Sequence, residues 1–326
     1  MDNVRAGLIG AGGMANAVHY PSLAAFDDVE MAGLCDLVPE KLKATAEKFG
    51  IGKTYADYRQ MLAEVDPQAV WVLMPPHQLF DIVIDCLEQK RHVFIEKPPA
   101  VTREQTRQMA LLAEEKGCLT MVAFNRRYMP IVNQVMAKVA ERGPILQCVS
   151  TFLKNYRAGP YYRGATDVLT CDAIHAVDML RHMGGEVARL ASDVRAIGTQ
   201  YENAFNALVK FESGACGFLQ TNWTVGKRVH TFELHADGIS AFVNPDDRAL
   251  IYADNNEEPT VLTTHQAAGS EENRVYLGFE AENRHFIDSI KAGRQPLTHS
   301  ADAVRTMELV ERIYREIGRA SCRERV

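Results

Sequence analysis

The stretch Val4-Arg5-Ala6-Gly7-Leu8-Ile9-Gly10-Ala11-Gly12-Gly13-Met14-Ala15 decides the fold of the first part of the chain. Val4 to Ile9 is a short, largely apolar run stopped at Gly10, as a buried parallel strand would be. The turn that follows reads G-x-G-x-x-A at Gly10, Gly12 and Ala15. Gly10 permits a tight turn, Gly12 lets the backbone approach a pyrophosphate, and Ala15 lets the next helix pack close to the strand. Gly13 and Met14 then sit at a helix start whose amides would face phosphate oxygens.

A second strand, Val29 to Cys35, ends at Asp36. That is close to the distance at which an acidic residue bonds the adenosine ribose of a dinucleotide. Leu37, Val38 and Pro39 follow, and no Arg does. A 2′-phosphate would meet a negative charge and no cation, so NAD is expected rather than NADP. The competing reading of Asp36 is an N-cap of the helix that starts near Pro39.

The alternation continues beyond this point. Helices are expected over Glu40–Phe49, shortly after Tyr55, over Leu79–Gln89 and over Arg103–Lys116, with strands at Ala69–Leu73, His92–Ile95 and Leu119–Ala123. Short turns between alternating strands and helices mean a doubly wound parallel sheet. Ligands of such sheets bind at the carboxyl ends of the strands. Asp36, Pro75 to His77, Glu96 to Pro98 and Asn125 all fall there. Lys97 follows a buried strand, where packing has no use for charge, and Pro98 stiffens the turn that presents it. A Lys beside an oxidised nicotinamide would be suited to proton transfer. The plainer reading is a surface Lys paired with Glu96.

The chain has 326 residues, enough for two domains, with 47% apolar and 24% charged residues and a net charge of −6. Scattered Lys and Arg with an acidic balance argue against a nucleic-acid or anionic-membrane partner, and no long uncharged apolar run is present. The seven cysteines are widely spaced and lack a C-x-x-C, which suits reduced thiols in a cytoplasmic protein. The N-terminus runs straight into a strand without a signal-peptide apolar region. Residues 318–326 read as a disordered tail or a cloning remnant.

The glycine turn, Pro75-Pro76-His77 and His92-Val93-Phe94-Ile95-Glu96-Lys97-Pro98-Pro99 together resemble the Gfo/Idh/MocA oxidoreductases. Phe124-Asn125-Arg126-Arg127-Tyr128 is similar to that family's next segment, and His175-Ala176-Val177-Asp178-Met179-Leu180 to its active-site helix. The resemblance covers nearly all of the chain except the tail. It implies an α/β Rossmann domain at 1–124, and an α+β substrate and oligomerisation domain with a large open antiparallel sheet at 125–317. It also implies NAD(P) chemistry on a secondary alcohol of a sugar, cyclitol or related polyol. Two positions depart from the family. Its Asp four residues before the helix His is Cys171 here, with Asp172 three before, and Leu79 stands where a second His often follows Pro75.

From Ile145 the period changes to that of strands, at Ile145–Leu153, Ala188–Ile197, Asn206–Phe211, Gly217–Thr224 and Thr231–His235, with Glu212-Ser213-Gly214 as a hairpin turn. Helices at Glu280–Ala292 and Ala301–Ile317 are expected to pack back on the body. One face of the sheet would lack a helical cover and suit a homodimer or homotetramer contact. Asn155 to Gly164 is a loop rich in Tyr and Arg, including Tyr156, Arg157, Tyr162 and Arg163, fit either to bind a polyol or to make an oligomer contact. Asp172 and His175 lie three apart on a helix, with Asp178 three further on, and either carboxylate could orient the imidazole. A metal site from Cys171, Asp172 and His175 lacks a credible fourth ligand.

With the resemblance, the expected cofactor contacts are Gly10, Gly12, Gly13, Met14, Asp36, Pro75, His77, Glu96 and Lys97. The expected substrate contacts are Asn125, Arg126, Tyr156, Arg157, Tyr162, Arg163, Asp172 and His175. His175 would exchange the hydroxyl proton, Lys97 would steady the same oxygen, and Asp172 would orient His175. Trp223, Arg228 and His230 could reach the substrate, although core packing or a dimer contact suits Trp223 better. Two other readings of the same residues remain: glycoside cleavage by transient oxidation on a retained NAD, and a non-catalytic NAD-dependent sensor.

Overall fold

The computed structural model describes residues 3–316, so the expected tail at 318–326 lies outside them. The chain forms two compact units. One runs to Pro130 and takes in His265–Arg305; the other comprises Ile131–Thr264 and the residues from Thr306 on.

In the first unit, strands β1 (Val4–Ile9), β2 (Val29–Cys35), β3 (Thr54–Tyr55), β4 (Ala69–Val72), β5 (His92–Ile95) and β6 (Thr120–Val122) pair in the order β3-β2-β1-β4-β5-β6. All the pairings are parallel, as the alternation predicts. Register explains why these strands read as apolar runs. Leu34, Leu8, Trp71, Phe94 and Met121 form one row across the sheet, and Cys35, Ile9, Val72, Ile95 and Val122 form the next. Neighbouring rows point to opposite faces, and both faces are buried.

The helices Tyr58–Val65, Pro76–Glu88 and Arg103–Lys116 cover one face. Phe286, Ile287 and Ile290 of the helix Phe279–Ala292 close the other beside Tyr20 and Leu23. The two-residue β3 was not visible in sequence, because two residues carry no period.

The second unit holds an eight-stranded sheet of β7 (Gln147–Asn155), β8 (Val187–Arg195), β9 (Ala204–Phe211), β10 (Cys216–Asn222), β11 (Thr224–Ala236), β12 (Ile239–Asn244), β13 (Arg248–Ala253) and β14 (Thr260–Thr263). Its order is β14-β13-β12-β11-β7-β10-β9-β8. The expectation of an antiparallel sheet needs one correction, since β7 and β10 pair in parallel. A parallel pair needs a long crossover, and the helix Ile174–Gly184 with β8 and β9 supplies it. Ser213 and Gly214 turn the β9–β10 hairpin as expected. The last three strands, β12 to β14, were not anticipated. Their short runs are interrupted by Asn, Asp and Pro, and only pairing in the sheet makes them regular.

The row through Phe94 can be tested directly. Phe94 is fully buried, with Trp71 stacked on it at 5.8 Å and Phe286 tilted against it at 5.8 Å. Phe94→Ala is expected to cost about 3–5 kcal/mol in chemical denaturation. A loss below about 1 kcal/mol would show that the row does not hold the sheet.

Candidate active site

The turn after β1 is built inward by its carbonyls. Tyr20 Oη donates to Gly10 O at 2.5 Å, and Asn16 Nδ2 donates to Ala11 O at 3.1 Å and Gly12 O at 3.2 Å. Three successive acceptors are thereby engaged, so the turn presents N–H groups to an incoming anion. Gly10 has φ +102°, and a Cβ there would stand 2.5 Å from Leu73 O, so this position requires glycine. At Gly12 and Gly13 a Cβ would meet nothing within 4 Å, and Met14 is exposed. Neither Asn16 nor Tyr20 was singled out in sequence. Their signal, polar side chains one and two turns after the glycines, is common in helices of any function.

Asp36 is tied to the same turn. Its Oδ2 accepts from Ala11 N at 2.6 Å and its Oδ1 from Val38 N at 2.8 Å. The helix Pro39–Phe49 is capped at Val38, which removes the N-cap reading of Asp36. A carboxylate offers about four lone-pair sites, so these two bonds leave capacity for ribose hydroxyls. Pro75 is the N-cap of the helix Pro76–Glu88, and His77 lies exposed in its first turn. Leu79, where the family often has His, is fully buried in the core.

Glu96 is buried at the end of β5, and its Oε2 accepts the main-chain N–H of Lys97. Lys97 itself is half-buried and joined to Pro98 by a cis peptide bond. Asn125 is buried, donates to Leu277 O at 2.8 Å and accepts from Arg126 Nη1 at 2.6 Å. Its polar groups therefore brace the backbone around Gly278.

Beside this turn stands a group that the sequence reading passed over. Glu282 is fully buried, and neither carboxyl oxygen has a hydrogen-bond partner among the described residues. Burial first, and the Glu96 carboxylate second, push its carboxyl well above the usual range, against the pull of Arg126. Its surroundings therefore favour the protonated form.

In the second unit the expected helix pair takes a different form. Asp172 belongs to a π-helical turn, Leu169–Ala173, and His175 to the α-helix Ile174–Gly184. The three-residue spacing assumed for one regular α-helix does not apply across that junction. Asp172 is held by Lys154 in an ion pair and by Tyr161 Oη at 2.6 Å. Tyr161 also accepts from Trp223 Nε1 at 3.2 Å and stacks on Tyr156 at 5.1 Å. Burial and the Asp172 charge raise the Tyr161 phenol above its ordinary range, so it stays a donor.

Lys154 was not anticipated, although a Lys at the end of an apolar strand is the same signal that picked out Lys97. His175 is buried, and Asp178, also buried, accepts from Thr306 Oγ1 at 2.9 Å. Arg157, Tyr162 and Arg163 are exposed, the last two at positive φ. Trp223 is a core residue, His230 stacks on Phe152 at 4.1 Å, and Arg228 pairs with Asp246.

No group of side chains suited to a metal ion occurs among the described residues, and no described helix is long and apolar enough to cross a membrane. The six described cysteines are in no disulfide. Burial pushes the thiols of Cys35, Cys86 and Cys148 up to about 12, which keeps them unreactive.

Residues 4–124 match the model of an oxidoreductase family with an NAD-binding Rossmann fold, and residues 141–241 match the GFO/IDH/MocA C-terminal domain. The chain belongs to the Gfo/Idh/MocA oxidoreductases. Among its relatives, the myo-inositol 2-dehydrogenase of Thermotoga maritima is 24% identical over 317 residues, covering 92% of each chain. The D-xylose 1-dehydrogenase (NADP(+)) 2 of Haloferax volcanii is 23% identical over 94% of this chain and 95% of its own. The structure of levoglucosan dehydrogenase in complex with NADH and levoglucosan superposes with a TM-score of 0.84 at 22% identity, covering 97% of both chains. As a family member, the protein is an NAD(P)-dependent oxidoreductase with a Rossmann cofactor domain. The open space at Gly12 and Gly13, and the inward-tied carbonyls of their turn, fit a dinucleotide pyrophosphate.

Glu282 makes a pH prediction. Above the ordinary Glu value of about 4.3 the unfolded chain releases this proton and the folded chain keeps it, so stability falls as pH rises. Glu282→Gln removes that dependence. Its melting temperature should match the wild type near pH 4 and exceed it increasingly toward about pH 8. A difference that does not vary with pH would show that Glu282 is not held protonated.

Proposed function

We propose that this protein exchanges a hydride between NAD and a secondary alcohol of a sugar, cyclitol or sugar derivative. The observation that carries the reading is the clustering at one end of a single parallel sheet. The glycine turn, Asp36 and the Glu96-Lys97 turn all follow the carboxyl ends of β1, β2 and β5. Relatives named for inositol, xylose and levoglucosan support a polyol substrate.

The nicotinamide supplies the redox chemistry; the chain's own groups bind, orient and move a proton. His175 takes the hydroxyl proton in oxidation and returns it in reduction, and Lys97 steadies charge that develops on the same oxygen. The ion pair of Asp172 with Lys154, and its bond from Tyr161, favour a substrate-binding role for Asp172. Asp36, followed by the exposed apolar Leu37 and Val38, favours NAD over NADP, since a 2′-phosphate would face a carboxylate without a neighbouring cation.

The open face of the eight-stranded sheet is read as a contact with a second copy. Leu208 and Phe218 stand directly opposite each other on it, and Leu208 is 46% exposed. Light scattering should find a dimer or tetramer, and a monomer at working concentration would remove this part of the reading.

The main experiment is a screen of sugars, inositols and glycosides with NAD and NADP, following reduced-nicotinamide absorbance and product release together. Oxidation with net NADH formation is expected. Release of an aglycone without NADH would instead mean that the cofactor is recycled in place. Lys97→Ala should lose most of kcat while NAD binding survives, and near wild-type turnover would sink the role of Lys97. Asp36→Ala should narrow the preference for NAD, measured as the ratio of the two dissociation constants.

A further inference from the structure

His19 ends the π-helical turn Ala15–His19, in the helical segment that begins at the glycines. It is fully buried, with its ring edge-on to Phe94 at 5.4 Å and to Phe279 at 5.8 Å. A buried imidazole must place its proton on one of two nitrogens, and the partner of the other nitrogen decides which.

Here the decision starts at a group with no freedom. The Trp71 indole only donates, and its Nε1 donates to Asn283 Oδ1 at 2.8 Å. The other end of that amide is therefore nitrogen. It donates to Phe279 O at 2.8 Å and meets His19 Nδ1 at 3.1 Å. An amide nitrogen cannot accept, so Nδ1 does, and the ring carries its proton on Nε2. Glu96 Oε1 lies 3.8 Å from that nitrogen, a charge–dipole distance, while Glu96 Oε2 receives the Lys97 main-chain N–H. Glu282 Oε1 is 4.0 Å from Nδ1. Its surroundings favour the protonated form, which exerts no anionic pull on the ring proton.

We propose that His19, its tautomer set by Asn283 and Trp71, is a positioning residue that orients the Glu96 carboxylate and through it the main chain of Lys97. This rests on the reading of Lys97 as the group that meets the substrate oxygen. The Lys97 main-chain N–H holds one oxygen of Glu96, and His19 Nε2, buried and without a hydrogen-bond partner among the described residues, lies 3.8 Å from the other, where its N–H dipole favours that position of the carboxylate. The titratable groups around His19 and Glu96 are Lys97, Arg126 and Glu282. Because His19 belongs to the helical segment of the glycine turn, one buried ring joins the phosphate-binding turn to the lysine turn.

The tautomer can be read without any substrate. In the full-length protein labelled with 15N-histidine, the His19 signal is assigned by its loss in His19→Gln. It should show a protonated Nε2 and a bare Nδ1 near neutral pH. A proton on Nδ1 overturns the proposal.

Kinetics then test the consequence, with NAD and the polyol turned over fastest in the screen. His19→Ala and Asn283→Asp should lower kcat by about 10–100-fold and shift its pH profile, with KM and NAD affinity unchanged. His19→Gln, which keeps an N–H able to reach Glu96, should recover much of kcat. Trp71→Phe keeps an aromatic ring but no donor; it should show mixed tautomers and an intermediate kcat. Folded variants with wild-type kcat and pH profile overturn the proposal. Lys97→Ala with wild-type turnover overturns the role of Lys97 instead, and the separately measured tautomer then decides whether His19 orients Glu96.

Discussion

Charged and polar groups at the ends of strands that are buried on both faces must be satisfied by the protein itself. An unpaired buried polar group costs about 1–3 kcal/mol, more when charged. In the Rossmann unit this constraint shapes the whole carboxyl edge of the sheet. Asp36 is satisfied by two backbone amides, one of them in the glycine turn. Glu96 is satisfied by the amide of the residue that follows it. Each carboxylate thus spends part of its capacity on shaping a loop, and the loops it shapes are those that carry Gly12 and Lys97.

The same constraint limits how much charge the edge can hold. Glu282 and Glu96 are close neighbours in a buried region, and two ionised carboxylates there would repel each other without compensating water. Burial favours the protonated form of Glu282, and Glu96 accepts the Lys97 amide. Asn283, Trp71 and His19 complete the arrangement with groups whose donor and acceptor roles are fixed by their chemistry. Cys35, Cys86 and Cys148, by contrast, are packing residues whose thiols burial keeps unreactive.

In the second unit the polar residues are organised around aromatic rings. Lys154 lies over Phe152 and Trp223 while pairing with Asp172, and Tyr161 joins Asp172 to Trp223. A cation held over two rings and against a carboxylate is strongly oriented. The π turn that carries Asp172 sets this geometry, and the regular helix begins only after it, at Ile174.

The local signals in the chain determined the Rossmann half almost element by element. Val4–Ile9, His92–Ile95 and Arg103–Lys116 were read with the bounds they have, because both-face burial writes continuous apolar runs and helices write a 3.6-residue period. Gly10, Asp36 and Lys97 were legible because glycine and charge stand out where a buried strand ends. What required tertiary structure was everything set by partners distant in sequence. The parallel β7–β10 pair, the strands β12 to β14, the Lys154–Asp172 pair and the burial of Glu282 depend on elements that sequence spacing does not bring together. His19 is the clearest case. In sequence it is one polar residue on a helix, and only Trp71 and Asn283, brought to it by the sheet and by a helix some 260 residues later, bear on where its proton sits.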